Sequence, residues 1–271
     1  MKRTIVTFLT LFLTGIFLHV GCSIGYAKNE NEAEDYQLLK EIIVTEFSGQ
    51  AAHEWGEVVS GVKTRLKTDE KIIALGLDTC GVQGEGSSAR WTKFFESQKI
   101  PVTVFACGEW IDKNRAILKS IAANPLFEIA NQGLQFKPCS VNGKSVAGLQ
   151  GTRNVEEVFV EIEKNARTIE SITGILPQFY RSGGGYYDEV AVRIAKALGY
   201  EAVGNYVHLP AAKIPDKKQI MDVLKNPAIG TIAVFQESVF QGRAAEGLVE
   251  AVRRLRIQGY KFVKLSDYPL E

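Results

Sequence analysis

The chain has 271 residues, with 32 Lys and Arg against 31 Asp and Glu, a formal net charge of +1, and its charges are dispersed rather than blocked. That balance leaves no electrostatic footprint for nucleic acid or for an anionic membrane surface, and it points to a partner of neutral or mixed charge. The length suits one soluble globular domain of α/β-barrel size with a short N-terminal extension, and no second catalytic domain is required.

Lys2 and Arg3 precede an apolar run over 5–20 and then small residues, the layout of a secretory signal rather than of a full membrane span. The mature protein is therefore expected to be exported and extracytoplasmic, secreted or associated with the cell envelope. Two processing positions compete. His19-Val20-Gly21-Cys22 is a weak lipobox with Leu18 one place too early, and Gly25-Tyr26-Ala27 is an acceptable signal-peptidase site. The expectation is cleavage after Ala27, which makes 1–27 a signal peptide. Lipidation of Cys22 would instead give a membrane-anchored lipoprotein with the same folded part. An uncleaved anchor helix is the plainer alternative.

Residues 28–67 are polar at first and then patterned as helix through Tyr36, Leu39, Ile43 and Phe47, ending in WGEVVSGVKTRL. They read as a helical extension packed against a domain over 68–271. Within that domain short apolar runs alternate with amphipathic ones. Seven candidate strands lie at 72–77, 101–106, 127–131, 178–181, 201–206, 231–236 and 261–265. Between them helical patterns run over 89–98, 113–123, 155–173, 188–198, 217–224 and 244–258, and three of these end at Gly174, Gly199 and Gly259, a residue type that caps helix C-termini without strain. Strict alternation of strand and helix predicts an α/β fold with a parallel sheet, closed or open. No repeat or low-complexity tract divides it.

In such barrels the active site forms at the C-terminal ends of the strands. The residues there are Asp78-Thr79-Cys80-Gly81, Cys107-Gly108-Glu109-Trp110, Asn131-Gln132, Arg181-Ser182-Gly183-Gly184-Gly185-Tyr186, Tyr206-Val207-His208 and Gln236-Glu237. Polar, aromatic and glycine residues gathered on one face are the signature of a pocket, although ordinary polar turns are the plainer reading of each one singly.

ALGLDTCG at 74–81, FEIANQGLQFKPCSVNG at 127–143, FYRSGGGYYDEVAVRIAKALGY at 179–200, AAEGL at 244–248 and GYKFVKLSD at 259–267 together, in order and spacing, resemble the polysaccharide deacetylases of the NodB-homology type, carbohydrate esterase family 4. The resemblance runs from about Glu46 to Tyr268. It implies a distorted (β/α)7 barrel and removal of acetyl groups from N- or O-acetylated sugars in polymers such as chitin or peptidoglycan. In that chemistry a divalent metal such as zinc lowers the pKa of its bound water from ~15.7 towards ~7 and stabilises the developing oxyanion. An aspartate then acts as base and a histidine as acid.

By that resemblance Asp78 falls on the catalytic base and Arg181 on the arginine that pairs with it and orients it, and both are kept. Thr79 stands where a metal-binding aspartate is usual, although one branch of the family reads Asp-Ala-Cys-Gly there. The two metal-binding histidines correspond to Gln132 and Phe136, and the acid histidine, less surely, to Gln236. At the fifth strand, where relatives of this branch carry an acidic, glycine-rich turn, the chain has His208-Leu209-Pro210-Ala211-Ala212. An amide is a poor ligand for a divalent ion and a phenyl ring is none, so the changes fall on the groups the mechanism requires.

These readings give an expectation of a catalytically impaired protein that keeps the groove, with no metal ligands and no cofactor, and that binds an acetylated glycan such as peptidoglycan or a chitin-like polymer, or a partner protein. The alternative is an active hydrolase with a non-standard site. Asp78 and Arg181 are the residual catalytic pair, and Trp110, Asn131, Gln132, Tyr186 and Gln236 are the candidate substrate contacts. Tyr187 joins Trp110 and Tyr186 as a ring able to stack on sugars, with core packing the plainer reading for all three. A substitute metal site from Asp78, Cys80, Cys139 and His208 competes with a disulfide between two of Cys80, Cys107 and Cys139, and with plain buried thiols. His53, beside Trp55, reads as a packing or surface histidine.

Overall fold

The computed structural model describes residues 17–80, 87–204 and 215–271. The first described element is a long helix, α1 (Phe17–Phe47), which passes through both expected processing positions, Cys22 and Ala27. Ile43 and Phe47 are buried on its inner face, with Tyr36 and Leu39 packed beside them against Val155, Phe159 and Val190. The periodicity read from the sequence is thus the face by which α1 docks. Tyr36 meets Phe159 at 5.1 Å between centroids, and the guanidinium groups of Arg167 and Arg193 lie over the rings of Tyr36 and Phe47. Among the described residues no helix is long and apolar enough to cross a membrane.

All seven candidate strands form: β1 (Ile72–Asp78), β2 (Val102–Ala106), β3 (Phe127–Asn131), β4 (Phe179–Tyr180), β5 (Glu201–Ala202), β6 (Thr231–Gln236) and β7 (Lys261–Val263). They pair in parallel in the order β5-β4-β3-β2-β1-β6, with β7 on β1. The first residues of β1 pair with β7 and the last with β2, so these two share one edge of β1 while β6 takes the other. Helices α2 (Ser87–Gln98), α3 (Gly108–Ala122), α4 (Val155–Phe159), α5 (Asn165–Thr173), α6 (Glu189–Ala197), α7 (Lys217–Val223) and α8 (Gly242–Ile257) alternate with the strands. β1 and β2 are buried along their whole length, which explains why they read as continuous apolar runs rather than alternating ones. The result is the α/β, distorted (β/α)7 barrel that the motifs imply.

Two features depart from a simple reading of the pattern. The stretch 155–173 is not one regular helix: a wide π turn over Val160–Lys164 separates α4 from α5 and leaves Glu161 and Glu163 buried. The second is the seam. Residues 63–66 close the gap between β5 and β6: the Lys63 N–H donates to Ala202 O at 2.8 Å, Gly204 N–H to Lys63 O at 2.8 Å, and Leu66 N–H to Gly230 O at 2.8 Å. The C-terminal residue joins from the other side, with Glu271 N–H donating to Arg65 O at 2.9 Å.

Gly230 is needed at this seam. Its φ is +75°, and a Cβ there would lie 2.3 Å from Leu66 O. Gly230→Ala is therefore expected to part the seam and to cost about 3 kcal/mol, read as a lowered urea midpoint.

Candidate functional site

Asp78 ends β1 and Arg181 follows β4, and the two side chains meet across the mouth of the barrel. The Arg181 Nε–H is shared between both Asp78 carboxylate oxygens at 3.1 Å, with each side chain 6% exposed. Burial pushes the Asp78 carboxyl above its ordinary range, and the guanidinium offsets only part of that. The resemblance pairs these two residues, and the structure brings them together.

The amide of Gln132 occupies the neighbouring position at the end of β3. Fully buried, it accepts through Oε1 from the backbone N–H of Thr79 at 3.2 Å and of Cys80 at 3.3 Å. Its Nε2 has no hydrogen-bond partner, and neither does the buried Trp110 Nε1. The Thr79 hydroxyl donates to Phe105 O at 3.2 Å and accepts from the Cys107 N–H at 3.3 Å, tying the end of β1 to that of β2. A disulfide between Cys80 and Cys107 repeats the tie covalently. Phe136 sits in the left-handed region, φ +57°, and packs into the same cluster as Cys80, Cys107 and Trp110.

The other expected contacts divide. Gln236 is half-buried and is the register partner of Asp78 on β6. Tyr186 is half-buried at the rim, against Trp55. Asn131, however, is completely buried: its Nδ2 donates to Ile162 O at 2.8 Å, and its Oδ1 accepts from Gly133 N–H at 2.9 Å and from Asn165 Nδ2 at 2.7 Å. It braces β3 and leaves no surface for a sugar. Trp110 is a core residue beside Trp91, and Tyr187 is buried with its hydroxyl donating to Val203 O. His53 is exposed, and His208 lies outside the described residues.

A divalent ion needs acidic, imidazole or thiolate donors converging on one point. At the positions that the resemblance assigns to its ligands stand Thr79, engaged with β2, Gln132, whose oxygen is taken up by two amides, and Phe136. These residues do not fit such an ion. The substitute set does not assemble either. Cys80 is in the disulfide, Asp78 is held by Arg181, and Cys139 is buried with its sulfur 2.8 Å from the Tyr180 hydroxyl, where burial pushes the thiol up. Among the described residues no group of three His, Cys, Asp or Glu side chains is placed to hold a metal.

One residue that braces the site's loop escaped the sequence. Glu161, turned inward by the π turn, accepts from the backbone N–H groups of Gln135 and Lys137 and so shapes the loop that carries Gln132 and Phe136. No periodic pattern signals it, because the π turn shifts the register. Burial raises its pKa to about 7, against the opposing pull of those N–H donors.

Two outcomes follow from these buried charges. Arg181→Ala strands a buried carboxylate and is expected to cost about 3–5 kcal/mol by chemical denaturation, whereas Asp78→Leu with Arg181→Met recovers most of the loss. Glu161 binds its proton more tightly in the folded chain than in the unfolded one. Its contribution to stability is therefore fully present below about pH 4.5 and is lost as pH rises through about 7. Glu161→Gln is expected to remove this slope, at most about 3 kcal/mol, from the pH profile of unfolding free energy.

A family model and solved structures place the chain among known proteins. The polysaccharide deacetylase family model matches residues 65–203. No curated protein matches the chain. Among solved structures, BA3943 of Bacillus anthracis, a CE4 family pseudoenzyme, aligns with a TM-score of 0.63 at 19% identity over 78% of this chain and 69% of that one. PdaA of Bacillus subtilis, a family 4 carbohydrate esterase, gives 0.62 at 21% identity over 77% and 84%. The Bc1960 peptidoglycan N-acetylglucosamine deacetylase gives 0.64 at 18% identity over 77% and 92%. At such identities the likeness concerns the fold. The family match, which spans residues 65–203, makes this chain a member of the polysaccharide deacetylase family.

Proposed function

We propose that this protein is an exported, deacetylase-like pseudoenzyme of the cell envelope that binds acetylated glycan without hydrolysing it. The observation that carries this reading is the set of replacements at the mouth: Gln132, Phe136 and Thr79 engage one another's strands through neutral hydrogen bonds and apolar packing instead of converging on an ion. Without a metal to acidify it, water keeps a pKa of ~15.7, and a single aspartate paired to an arginine does not make it a nucleophile for an amide. Half-buried Gln236 and Tyr186 are the expected contacts that stay accessible to a sugar.

BA3943 is a pseudoenzyme of the same fold, and a mutant of it has restored enzymatic activity, so the barrel is compatible with either state. Export rests on the basic and apolar N-terminus and agrees with a disulfide, which persists in oxidising compartments. Anchoring through a lipid on Cys22 belongs to the same proposal. The alternative, a hydrolase that removes acetyl groups through a non-standard site, draws on the surviving Asp78–Arg181 pair.

Metal analysis of the purified protein, together with acetate release from N-acetylated chitotetraose and peptidoglycan, separates the two. Binding without turnover and without stoichiometric zinc is expected; bound zinc with steady turnover would end the pseudoenzyme reading. Thr79→Asp, Gln132→His and Phe136→His combined are expected to restore zinc binding, because the ligands and not the barrel have changed. A folded triple variant that stays free of zinc would show that the mouth itself has been rebuilt.

A further inference from the structure

The segment 53–60 is pinned to the rim of the barrel by its backbone. The N–H groups of His53 and Glu54 donate to the two carboxylate oxygens of Glu189 at 2.7 and 2.8 Å. Gly56 and Tyr187 exchange backbone hydrogen bonds at 3.1 and 2.9 Å. The Glu54 carboxylate closes the loop by accepting from the N–H and the hydroxyl of Ser60, both at 2.6 Å. A loop fixed in this way presents its side chains in one arrangement, so little ordering remains to oppose ligand binding.

What it presents is Trp55, half-buried, with its ring 5.8 Å from that of Tyr186 and tilted by 49°. Neither ring belongs to the hydrophobic clusters that hold Trp91, Trp110, Tyr180 and Tyr187. The Tyr186 hydroxyl hydrogen-bonds to Glu57. This group borders the Asp78–Arg181 pair: a Cβ on Gly185, the residue before Tyr186, would lie 2.9 Å from Arg181 Nη2, and the Glu57 charge acts on Arg181. Trp55 and Glu57 fall outside residues 65–203, the part matched by the family, and Tyr186 falls within it.

An aromatic surface beside a carboxylate matches one ligand chemistry closely. The C–H face of a pyranose ring packs on aromatic faces while its hydroxyls require acceptors, whereas a lipid or an apolar peptide would bury Glu57 without a donor. We propose that Trp55, Glu57 and Tyr186 form a saccharide subsite at the rim, in which the two rings take the face of one N-acetylhexosamine unit and Glu57 accepts from its hydroxyls. The subsite rests on the glycan-binding reading above and names the residues that hold the sugar beside the Asp78–Arg181 pair.

The test is calorimetric titration of the full-length chain with N-acetylated chitotetraose. Trp55→Ala is expected to weaken binding about tenfold, with Trp55→Phe close to wild type. Glu57→Gln, which keeps both rings, is expected to weaken it several-fold, so a folding defect in the alanine variant leaves a second measurement. Unchanged affinity in folded Trp55→Ala and in Glu57→Gln, with the wild type binding, would overturn the subsite and leave the glycan reading standing. If the wild type binds neither chitotetraose nor peptidoglycan fragments, the glycan reading fails, and the subsite with it.

Discussion

The buried pair between Asp78 and Arg181 depends on the curl of the sheet and helps to hold it. The residues sit at the ends of β1 and β4, with β2 and β3 between them. In a flat sheet three strand spacings would put those strands about 14 Å apart. Contact at 3.1 Å between the charged groups requires the sheet to bend round until its strand ends face one another. Two charges removed from water contribute little net stability as a pair, but either one alone would be costly. The pair therefore acts as a condition on the fold: any arrangement in which the barrel opens leaves a stranded charge. The segment at 63–66 supplies the complementary restraint by occupying the gap between β5 and β6.

At the mouth, cohesion is achieved with neutral groups. The Gln132 amide links β3 to β1, the Thr79 hydroxyl links β1 to β2, and the Cys80–Cys107 disulfide repeats the second link covalently. A metal centre would join strand ends by drawing several donors to one ion. Here the Gln132 oxygen and the Thr79 hydroxyl bond backbone groups instead, and Phe136 packs into the adjacent cluster. A scaffold and the chemistry at its strand ends are separable in this way.

The N-terminal part of the chain belongs to this arrangement. α1 covers α4 and α6 through one apolar face, residues 53–60 sit on the rim, and 63–66 fill the seam. One continuous stretch thereby reaches from the outer layer to the edge of the site. Glu161 works from the opposite side, holding the 135–137 loop through backbone N–H groups.

The sequence by itself determined the number and order of the strands and their alternation with helices, because burial on both faces writes β1, β2 and β6 as apolar runs and the helices keep their own period, although the π turn within 155–173 left no such mark. Asp78, Arg181, Thr79, Gln132 and Phe136 were singled out only through the resemblance, and the structure shows that Asp78 meets Arg181 and that Gln132 bonds the backbone of Thr79. Which polar residues face the mouth was decided only in three dimensions. Asn131 and Gln132 are neighbours in sequence at the end of β3, yet one braces the back of the strand while the other reaches across to β1. The disulfide partners, the inward turn of Glu161, the seam at 63–66 and the meeting of Trp55 with Tyr186 likewise depend on contacts between residues far apart in the chain. Local pattern carries the period of an element, but not which distant backbone groups its side chains will satisfy once water is excluded.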